Sequence, residues 1–589
     1  MRILFIILLH ILFATPSDAQ RLIRKNNRHY AAQQSLPDKV EPLLSDVWDQ
    51  YAPFNNFCPT DSTGERCVVG CVATAMSQVM HYWQWPEKGR GSYTYIDSIG
   101  CGQELTANFS EHTYRWTDML DVYNAGEYSQ AQADAVAQLS LDCGISVNMR
   151  YGSATSGAES ILQPQAMTQY FGYDKGMQQL FRDFYSLEEI TLILKQELAA
   201  GRPILISGYS TSLAHAYVID GYNECDWFHI CWGNPGGDDN DYTYLPYMVP
   251  NQPQWYDMTS PENGLNILQS FTIGIMPENN ENATGIERHN FAFQYISADI
   301  DSTMESATYT RDDVRLTVHD ICNIGWNTLE DSVSLMLKKD NEIVCPLYTY
   351  DHEFLLEEVD DTTYTDTLSL KIPDGIADGT YTIVPMYRDN ALTEGEKEWR
   401  EARVCVGNPN YLITTIKDNE VTLSSDTAST AYLTLESIYF PDLIIPGTIP
   451  KYDIRLKNNG PEMVGRIYVY LESLNENFND LVIQLQGMSI GADEEYTVDR
   501  KITYLPAAPW IPYRLHIKYE SNLFADELID LELPEEYQNY IVTIMGSSQI
   551  ELAEERNFST NSFIPSEAPL RMCVTPSASL YLTSLGSMR

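Results

Sequence analysis

The pattern of apolar residues along this chain changes near residue 280, and this change constrains the fold more than any other feature. Before it, amphipathic helical segments at residues 131–142 and 187–198 alternate with short strand-like apolar runs. After it, short alternating runs rich in Val, Ile, Thr and Tyr recur between turn residues. The 589 residues suffice for three or four domains. We therefore expect an α+β domain followed by all-β sandwich modules.

A weak internal repeat divides the second part into two units. Residues 314–334 resemble residues 452–470, at an offset of about 135 residues, which is typical of tandem repeated modules. The spacing of the strand-like runs favours immunoglobulin-like (Ig-like) sandwiches. The predicted segments are a linker at 278–284, sandwiches at 285–409 and 410–533, and a tail or completion of the last sandwich at 534–589.

The N-terminus has the pattern of an export signal. A basic start precedes an apolar run at residues 3–14, and small residues flank Asp18. We expect a signal peptide at 1–19 and a secreted protein, located extracellularly, at the cell surface or in the periplasm; a buried helix is the alternative. Residues 20–40 are a short basic pro-segment of a zymogen or an N-terminal tail. No other run is long and apolar enough to predict a membrane span.

Acidic residues dominate the charge of the chain. There are 82 Asp and Glu against 37 Lys and Arg, which leaves a formal charge of −45. Such a surface repels phosphate, so we expect no nucleic-acid partner and no anionic-lipid partner. The 11 cysteines are an odd number, so at least one thiol should remain free. Cys58 with Cys67, and Cys225 with Cys231, remain open as disulfides in an exported protein.

Two motifs in the first part contain residues suited to thiol chemistry. In GCVATAMSQVMHYWQWP (residues 70–86), Cys71 opens a predicted helix, where the helix dipole lowers the pKa of a thiol. In HAYVIDGYN (residues 215–223), His215 stands at the start of an apolar strand, 144 residues after Cys71. Papain-like peptidases separate Cys and His by about 130–150 residues. Either residue alone would suit a protein core, but together they favour a nucleophile and its base.

Together these motifs resemble the streptopain family, which are papain-like cysteine peptidases secreted by bacteria. The resemblance covers roughly residues 41–277 and implies a papain-like domain with a helical lobe and a β lobe. It implies that Cys71 is the nucleophile and His215 the general base and acid. It also implies that Gln50 joins the N–H of Cys71 in an oxyanion hole and that Trp232 packs beside His215.

The chain departs from the family pattern next to Trp232. The family commonly has Asn at the position of Cys231, and a thiol does not accept the imidazole N–H as an amide oxygen does. Asn234 or a backbone carbonyl is then the expected substitute that orients His215. The stretch that precedes the domain is also far shorter than the pro-domain of streptopain itself.

The predicted function is that of a secreted cysteine endopeptidase which acts on protein or peptide substrates. The sandwiches would contact a host protein or a cell surface. A catalytically weakened scaffold that acts in adhesion is the alternative, and another amide chemistry, such as transamidation or peptidoglycan hydrolysis, is a third reading. No cofactor and no metal are expected. The cysteines at 58, 67 and 71 with His81 lack the spacing of a zinc site, and the acidic run at 238–241 is read as a turn.

Overall fold

A computed structural model describes most of the chain between residues 36 and 544. The described residues are 36–210, 214–235, 240–246, 248, 264–287, 290–298, 306–326, 332–340, 342–350, 364–388, 399–425, 432–444, 451–475, 480–501, 511–520, 528–535, 537–538 and 540–544. The predicted signal peptide at 1–19, residues 20–35 of the predicted pro-segment and the tail after 544 lie outside them. No helix of the described part is long and apolar enough to cross a membrane.

Three helices make up one side of the first domain, and a fourth packs on the opposite face of its sheet. They are α1 (Cys71–Trp83), α2 (Gln130–Ser146), α3 (Leu162–Phe171) and α4 (Leu187–Ala199). The Ser129 side chain caps α2 in a reciprocal capping box with Gln132, and the Ser186 hydroxyl accepts the N–H of Glu189 at the start of α4. The helices expected at 131–142 and 187–198, and the one expected to open at Cys71, are confirmed.

The other side of the first domain is an antiparallel sheet. The strands are β1 (Tyr93–Ile96), β2 (Glu104–Ala107), β3 (Gln178–Phe181), β4 (Ile204–Tyr209), β5 (Ala214–Tyr222), β6 (Phe228–Cys231), β7 (Asp241–Thr243) and β8 (Ile267–Ile273). The main sheet has the order β3-β8-β4-β5-β6-β7, and β1 pairs separately with β2. Helix α1 packs on β5 through a common core, which includes Val72, Met76 and Val218.

The second structural unit, after the first domain, is a β-sandwich. Its strands are β9 (Phe291–Phe293), β10 (Tyr295–Ala298), β11 (Ser306–Thr310), β12 (Val314–Asn323), β13 (Ser332–Lys339), β14 (Glu342–Thr349), β15 (Tyr364–Leu370), β16 (Gly379–Arg388), β17 (Arg400–Glu401), β18 (Arg403–Val404), β19 (Leu412–Lys417) and β20 (Glu420–Ser425). They form one sheet of five strands and one of seven. Leu316 of the first sheet and Leu335 of the second belong to the same buried core, so the sheets face each other.

A second β-sandwich follows. Its strands are β21 (Leu433–Tyr439), β22 (Leu443–Ile444), β23 (Lys451–Asn458), β24 (Met463–Ser473), β25 (Leu481–Ile490), β26 (Glu495–Lys501), β27 (Ile511–Glu520), β28 (Ile529–Asp530) and β29 (Ile541–Ile544). A sheet of three strands, β21-β23-β26, faces a sheet of six. Ile454 and Val469 contribute to one core between them. The expected all-β character of the second half is thus confirmed.

The strand pairing places the boundary between the sandwiches later than residue 409. Strand β19 pairs with β16, and β20 pairs with both β19 and β11, so residues 412–425 complete the first sandwich. Strand β29 pairs with β27 and β22, so the second sandwich continues past residue 533 to at least residue 544. The second finding agrees with one of the two expectations for 534–589, completion of the last sandwich. The boundary at 409 differs because β20 pairs with β11, more than 100 residues earlier, and such a long-range pairing leaves no local sequence signal.

The segment expected to be a linker at 278–284 is docked on the first domain. The N–H of Glu278 donates to the carbonyl of Gly172 at 3.1 Å, and Arg90 forms an ion pair with the carboxylate of Glu278. The N–H of Gly285 donates to Asp174 Oδ1 at 2.7 Å. These contacts fix the direction in which the chain enters the first sandwich.

Candidate active site

Cys71 lies at the N-terminus of α1, as the sequence predicts. Burial raises the pKa of this thiol, but the hydrogen bond and charge of His215 and the backbone N–H groups of Ala216 and Val72 outweigh burial. The net pKa of Cys71 is therefore lowered below the ordinary value of 9.0. By contrast, burial raises the pKa of Cys58 to about 12 and that of Cys67 to about 11. Of these three cysteines, Cys71 therefore forms a thiolate most readily.

The turn into α1 requires glycine at position 70. Gly70 has a φ angle of 90°, and a Cβ atom there would lie 2.6 Å from the Met149 sulfur. The backbone at Gly70 therefore lies very close to the Met149 side chain just before α1 begins. This close approach lets the first turn of α1, with the Cys71 thiol, face the β lobe.

His215 meets Cys71 from the start of β5, where its backbone is paired with Gly208 of β4. Its Nε2 atom lies 2.8 Å from the carbonyl oxygen of Trp232. Because a carbonyl oxygen only accepts, Nε2 must carry the proton in this contact. Nδ1 is then the ring nitrogen left to exchange a proton with the Cys71 thiol.

The carbonyl that meets His215 is itself held on several sides. The N–H of Trp232 donates to Asn240 Oδ1 at 3.0 Å. The indole of Trp232 is 1% exposed; it packs against Tyr217 at 4.5 Å and lies parallel to the His215 ring at 6.4 Å. The next residue, Gly233, has a φ angle of 72° and approaches Thr74 of α1 closely. The peptide after Trp232 is thereby fixed relative to the helix that carries Cys71.

No sequence pattern identified Tyr217 and Asn240 as residues near the site. Asn240 belongs to the acidic run that was read as a solvated turn, and a single Asn in such a turn gives no signal of its own. Tyr217 occupies the alternate position to His215 in a strand, which predicts a shared face of the sheet. Periodicity would therefore have pointed to Tyr217 but not to Asn240.

Gln50 lies beside the segment that leads into the helix. Its carbonyl oxygen accepts the N–H of Val69 at 3.0 Å, two residues before Cys71. The Gln50 residue is partly exposed. This backbone contact places Gln50 next to the segment that leads into α1, and its role in an oxyanion hole stays a prediction.

Cys231 and Asn234 flank the Trp232–Gly233 turn. Cys231 is 2% exposed and packs in the core shared by α1 and the sheet. Asn234 is partly exposed and follows Gly233. A backbone carbonyl, one of the two substitutes expected to orient His215, is present: that of Trp232, 2.8 Å from His215 Nε2.

The structure describes the cysteines that were candidates for disulfides and the histidine that was a candidate metal ligand. The ten cysteines of the described part, including Cys58, Cys67 and Cys225, are free thiols. His81, weighed with them as a metal ligand, has its Nδ1 atom 3.0 Å from Asp46 Oδ2. The acidic residues 238 and 239 lie outside the described residues.

Tyr209 lies at the end of β4, next to the His215 strand, and packs in a cluster with a residue of the second sandwich. Burial raises the pKa of Tyr209, and the nearby charges of Glu159 and Cys71 add to the effect. Tyr209 packs on the cluster of Ile267 of β8 and Tyr468 of β24. A residue of the C-terminal half therefore packs in the same cluster as Tyr209.

Part of this chain is similar to known cysteine proteases. Residues 48–242 match the model of the Peptidase C10 family. The chain is 29% identical over 412 residues to the thiol protease/hemagglutinin PrtT of Porphyromonas gingivalis. This alignment covers 66% of this chain and 44% of that protein. It is 29% identical over 272 residues to streptopain of Streptococcus pyogenes, which covers 43% of this chain and 67% of streptopain.

A solved structure matches the same part of the chain. The active wild-type interpain A cysteine protease of Prevotella intermedia is 32% identical, covers 40% of this chain and 95% of its own chain, and has a TM-score of 0.37. The chain spans less than half the length of the Porphyromonas relative.

Proposed function

The chain belongs to the Peptidase C10 family of cysteine proteases, and on this premise we propose that it is an exported endopeptidase in which Cys71 and His215 form the catalytic pair. The observation that carries the proposal is the hydrogen-bonded contact between Cys71 and His215 at the N-terminus of a buried helix, with a thiol pKa below its ordinary value. Protein or peptide chains are the substrates that this chemistry fits.

In the proposed reaction the Cys71 thiolate attacks the carbonyl carbon of the scissile peptide bond. The oxyanion that forms is stabilised by the N–H of Cys71 and the side-chain amide of Gln50. His215, protonated at both ring nitrogens, gives the Nδ1 proton to the leaving amine as the C–N bond breaks and a thioester forms. It then takes a proton from water, whose oxygen attacks the thioester and releases the Cys71 thiolate with the acid product.

The carbonyl of Trp232 is proposed to orient the imidazole through both steps. It accepts the Nε2 proton, and the attractive interaction strengthens when the ring becomes positively charged. This replaces the Asn side chain that the family commonly supplies at position 231. The contact supports a working peptidase over the weakened adhesion scaffold, which Cys231 alone would have favoured.

The proposal also covers the bounds of the catalytic domain, the type of the sandwiches and export of the protein. The catalytic domain spans residues 41–277, and the two sandwiches are Ig-like modules, a reading supported by their facing antiparallel sheets. Export through a signal at 1–19 and removal of a short basic segment would deliver the mature protein outside the cell. Contact with a host protein or a cell surface is assigned to the sandwiches.

The first prediction tests the nucleophile. Replacement of Cys71 by Ala should lower casein cleavage by at least about 10⁴-fold, because the attacking atom is removed. One equivalent of iodoacetamide should inactivate the purified wild-type protein and modify the peptide that contains Cys71. The exposed Cys225 supplies the matched control, since Cys225→Ser should cleave casein like the wild type. Equal cleavage by the wild type and Cys71→Ala would assign the activity to another residue.

A further inference from the structure

A second group of reactive side chains lies behind the candidate active site. One ligand atom each of Asp220, His229 and Cys231 lies within 4.8 Å of the other two. Asp220 is on β5, and the other two are on the neighbouring strand β6. The register between these strands shifts between Ile219 and Gly221. Asp220 lies two residues after Val218, which pairs with Cys231, so side-chain alternation places Asp220 on the face that carries the other two.

The burial of this group is unusual for its charge. Asp220 is fully buried and Cys231 is 2% exposed, whereas the His229 side chain is 15% exposed and forms an edge open to solvent. One carboxylate oxygen of Asp220 lies 2.6 Å from His229 Nδ1, and the other accepts the N–H of Leu44 at 2.9 Å. Both oxygens of this buried carboxylate therefore have a partner, and the His229 side chain is the partner that reaches the solvent edge.

We propose that Asp220, His229 and Cys231 form a binding site for a zinc-type divalent cation. A carboxylate, an imidazole and a thiolate are three ligands that zinc accepts, and a water molecule would complete a tetrahedron. The carboxylate and the thiolate together neutralise the two charges of the ion. The N–H of Leu44 on the second carboxylate oxygen is the kind of outer contact that orients a metal ligand.

Binding requires a small rearrangement and releases protons. Metal bonds of about 2.0–2.2 Å to nitrogen and oxygen separate tetrahedral ligands by about 3.3 Å, so the 2.6 Å contact between His229 and Asp220 must open. The Cys231 thiol proton and the proton shared by His229 and Asp220 pass to solvent as the ion binds. No electron is transferred, so the step needs no oxidant or reductant.

The site distinguishes this chain from the pattern that its catalytic motifs resemble. That pattern has Asn where this chain has Cys231, and an amide is a poor zinc ligand beside a thiolate. The site is also distinct from the Cys71–His215 pair, although Cys231 precedes Trp232, whose carbonyl meets His215. The cysteines weighed for zinc in the sequence analysis are not part of it.

The test uses the full chain with Cys71→Ala, because the catalytic pair would itself bind zinc. Competition with a chromophoric chelator should give one tight Zn²⁺ per chain. Adding Cys231→Ser should weaken binding at least about 10-fold, whereas adding Cys225→Ser should leave it unchanged. Co²⁺ should give a thiolate charge-transfer band and tetrahedral d–d bands, and Cys231→Ser should abolish the thiolate band.

Two results would overturn the proposal. One is equal Zn²⁺ binding with and without Cys231→Ser; the other is a Co²⁺ spectrum of the Cys71→Ala protein without a thiolate band. If Cys231→Ser fails to fold, His229→Gln at the open edge of the site serves instead, with the same expected loss of binding. Because every measurement uses a protein without the catalytic thiol, the outcome is independent of the peptidase assignment.

Discussion

At the scale of single residues, the site combines one thiol and one imidazole whose properties depend on each other. Burial alone would raise the pKa of Cys71, and contact with His215 is the largest effect that lowers it. The imidazole in turn depends on a backbone carbonyl, which no substitution of the Trp232 side chain removes directly. The tendency of Cys71 to form a thiolate therefore depends on His215 even before a substrate binds.

The pH dependence of thiol reactivity tests this dependence. In the wild type the Cys71 pKa lies below 9.0, so alkylation by iodoacetamide should persist as the pH falls below that value. In His215→Ala the effect of burial remains without its main opponent, so the alkylation profile should shift to a pH above 9.0. Mass spectrometry of the Cys71 peptide after timed alkylation measures both profiles. Superimposable profiles would mean that the helix N-terminus, and not His215, sets the pKa.

At the scale of secondary structure elements, the start of α1 decides where the thiol points. Gly70 has a φ angle of 90°, close to the 87° of Gly64. A Cβ atom at Gly70 would collide with Met149, whereas a Cβ atom at Gly64 would have no atom within 4 Å. The two glycines share a positive φ angle, and they differ in the space available for an added Cβ atom.

This pair separates the two costs of replacing a glycine. Gly64→Ala should destabilise the protein by about 1 kcal/mol, through the left-handed backbone alone. Gly70→Ala should cost about 2 kcal/mol more, because Met149 must move, and kcat should fall at least about 10-fold as the Cys71 turn shifts. Urea unfolding of the first domain and kcat on a peptide substrate measure these effects. Equal stability and kcat for the two variants would mean that the Met149 contact does not position Cys71.

At the scale of the whole molecule, the three units form a continuous body. Cys322 and Cys405 of the first sandwich belong to the same buried core as Phe228 of the catalytic sheet. The second sandwich docks through Glu462, whose carboxylate lies 2.8 Å from the buried Arg182 guanidinium and accepts the N–H of Leu187 at the start of α4. The sandwiches thus pack on the first domain, and Tyr468 belongs to the cluster on which Tyr209 packs.

The Glu462 contact should control the docking of the second sandwich. Glu462→Gln leaves the Arg182 charge without its carboxylate in a site that is 3% exposed, so the interface should open at lower urea concentrations than in the wild type. KM should rise about two- to fivefold as Tyr209 loses support, with kcat less affected. Limited proteolysis in urea and steady-state kinetics are the measurements. Glu287→Gln is the control, because its ion pair with Lys175 is largely exposed and should contribute under about 1 kcal/mol. Identical proteolysis of both variants would contradict this role of Glu462.

Local patterns were sufficient to predict most elements of the catalytic domain and the all-β second half. Helices α1, α2 and α4 follow from apolar periodicity and capping residues, and strands β4, β5, β6 and β8 from short apolar runs. The Cys71–His215 contact follows from motif order, and the structure brings the two residues together. The sandwich boundary was not predictable, because β20 pairs with β11 and β29 pairs with β22, each about 100 residues away in sequence.

The sequence alone determined the family, the order of the domains and the two residues that meet in the site, because these depend on local pattern and motif spacing. Only the tertiary structure decided that a Trp232 carbonyl meets His215, that Asn240 holds the same peptide, and that Cys231 lies beside Asp220 and His229. Backbone carbonyls carry no side-chain signal, and a register shift between two strands is invisible in either strand alone. These contacts exist only once β5, β6 and α1 are packed together.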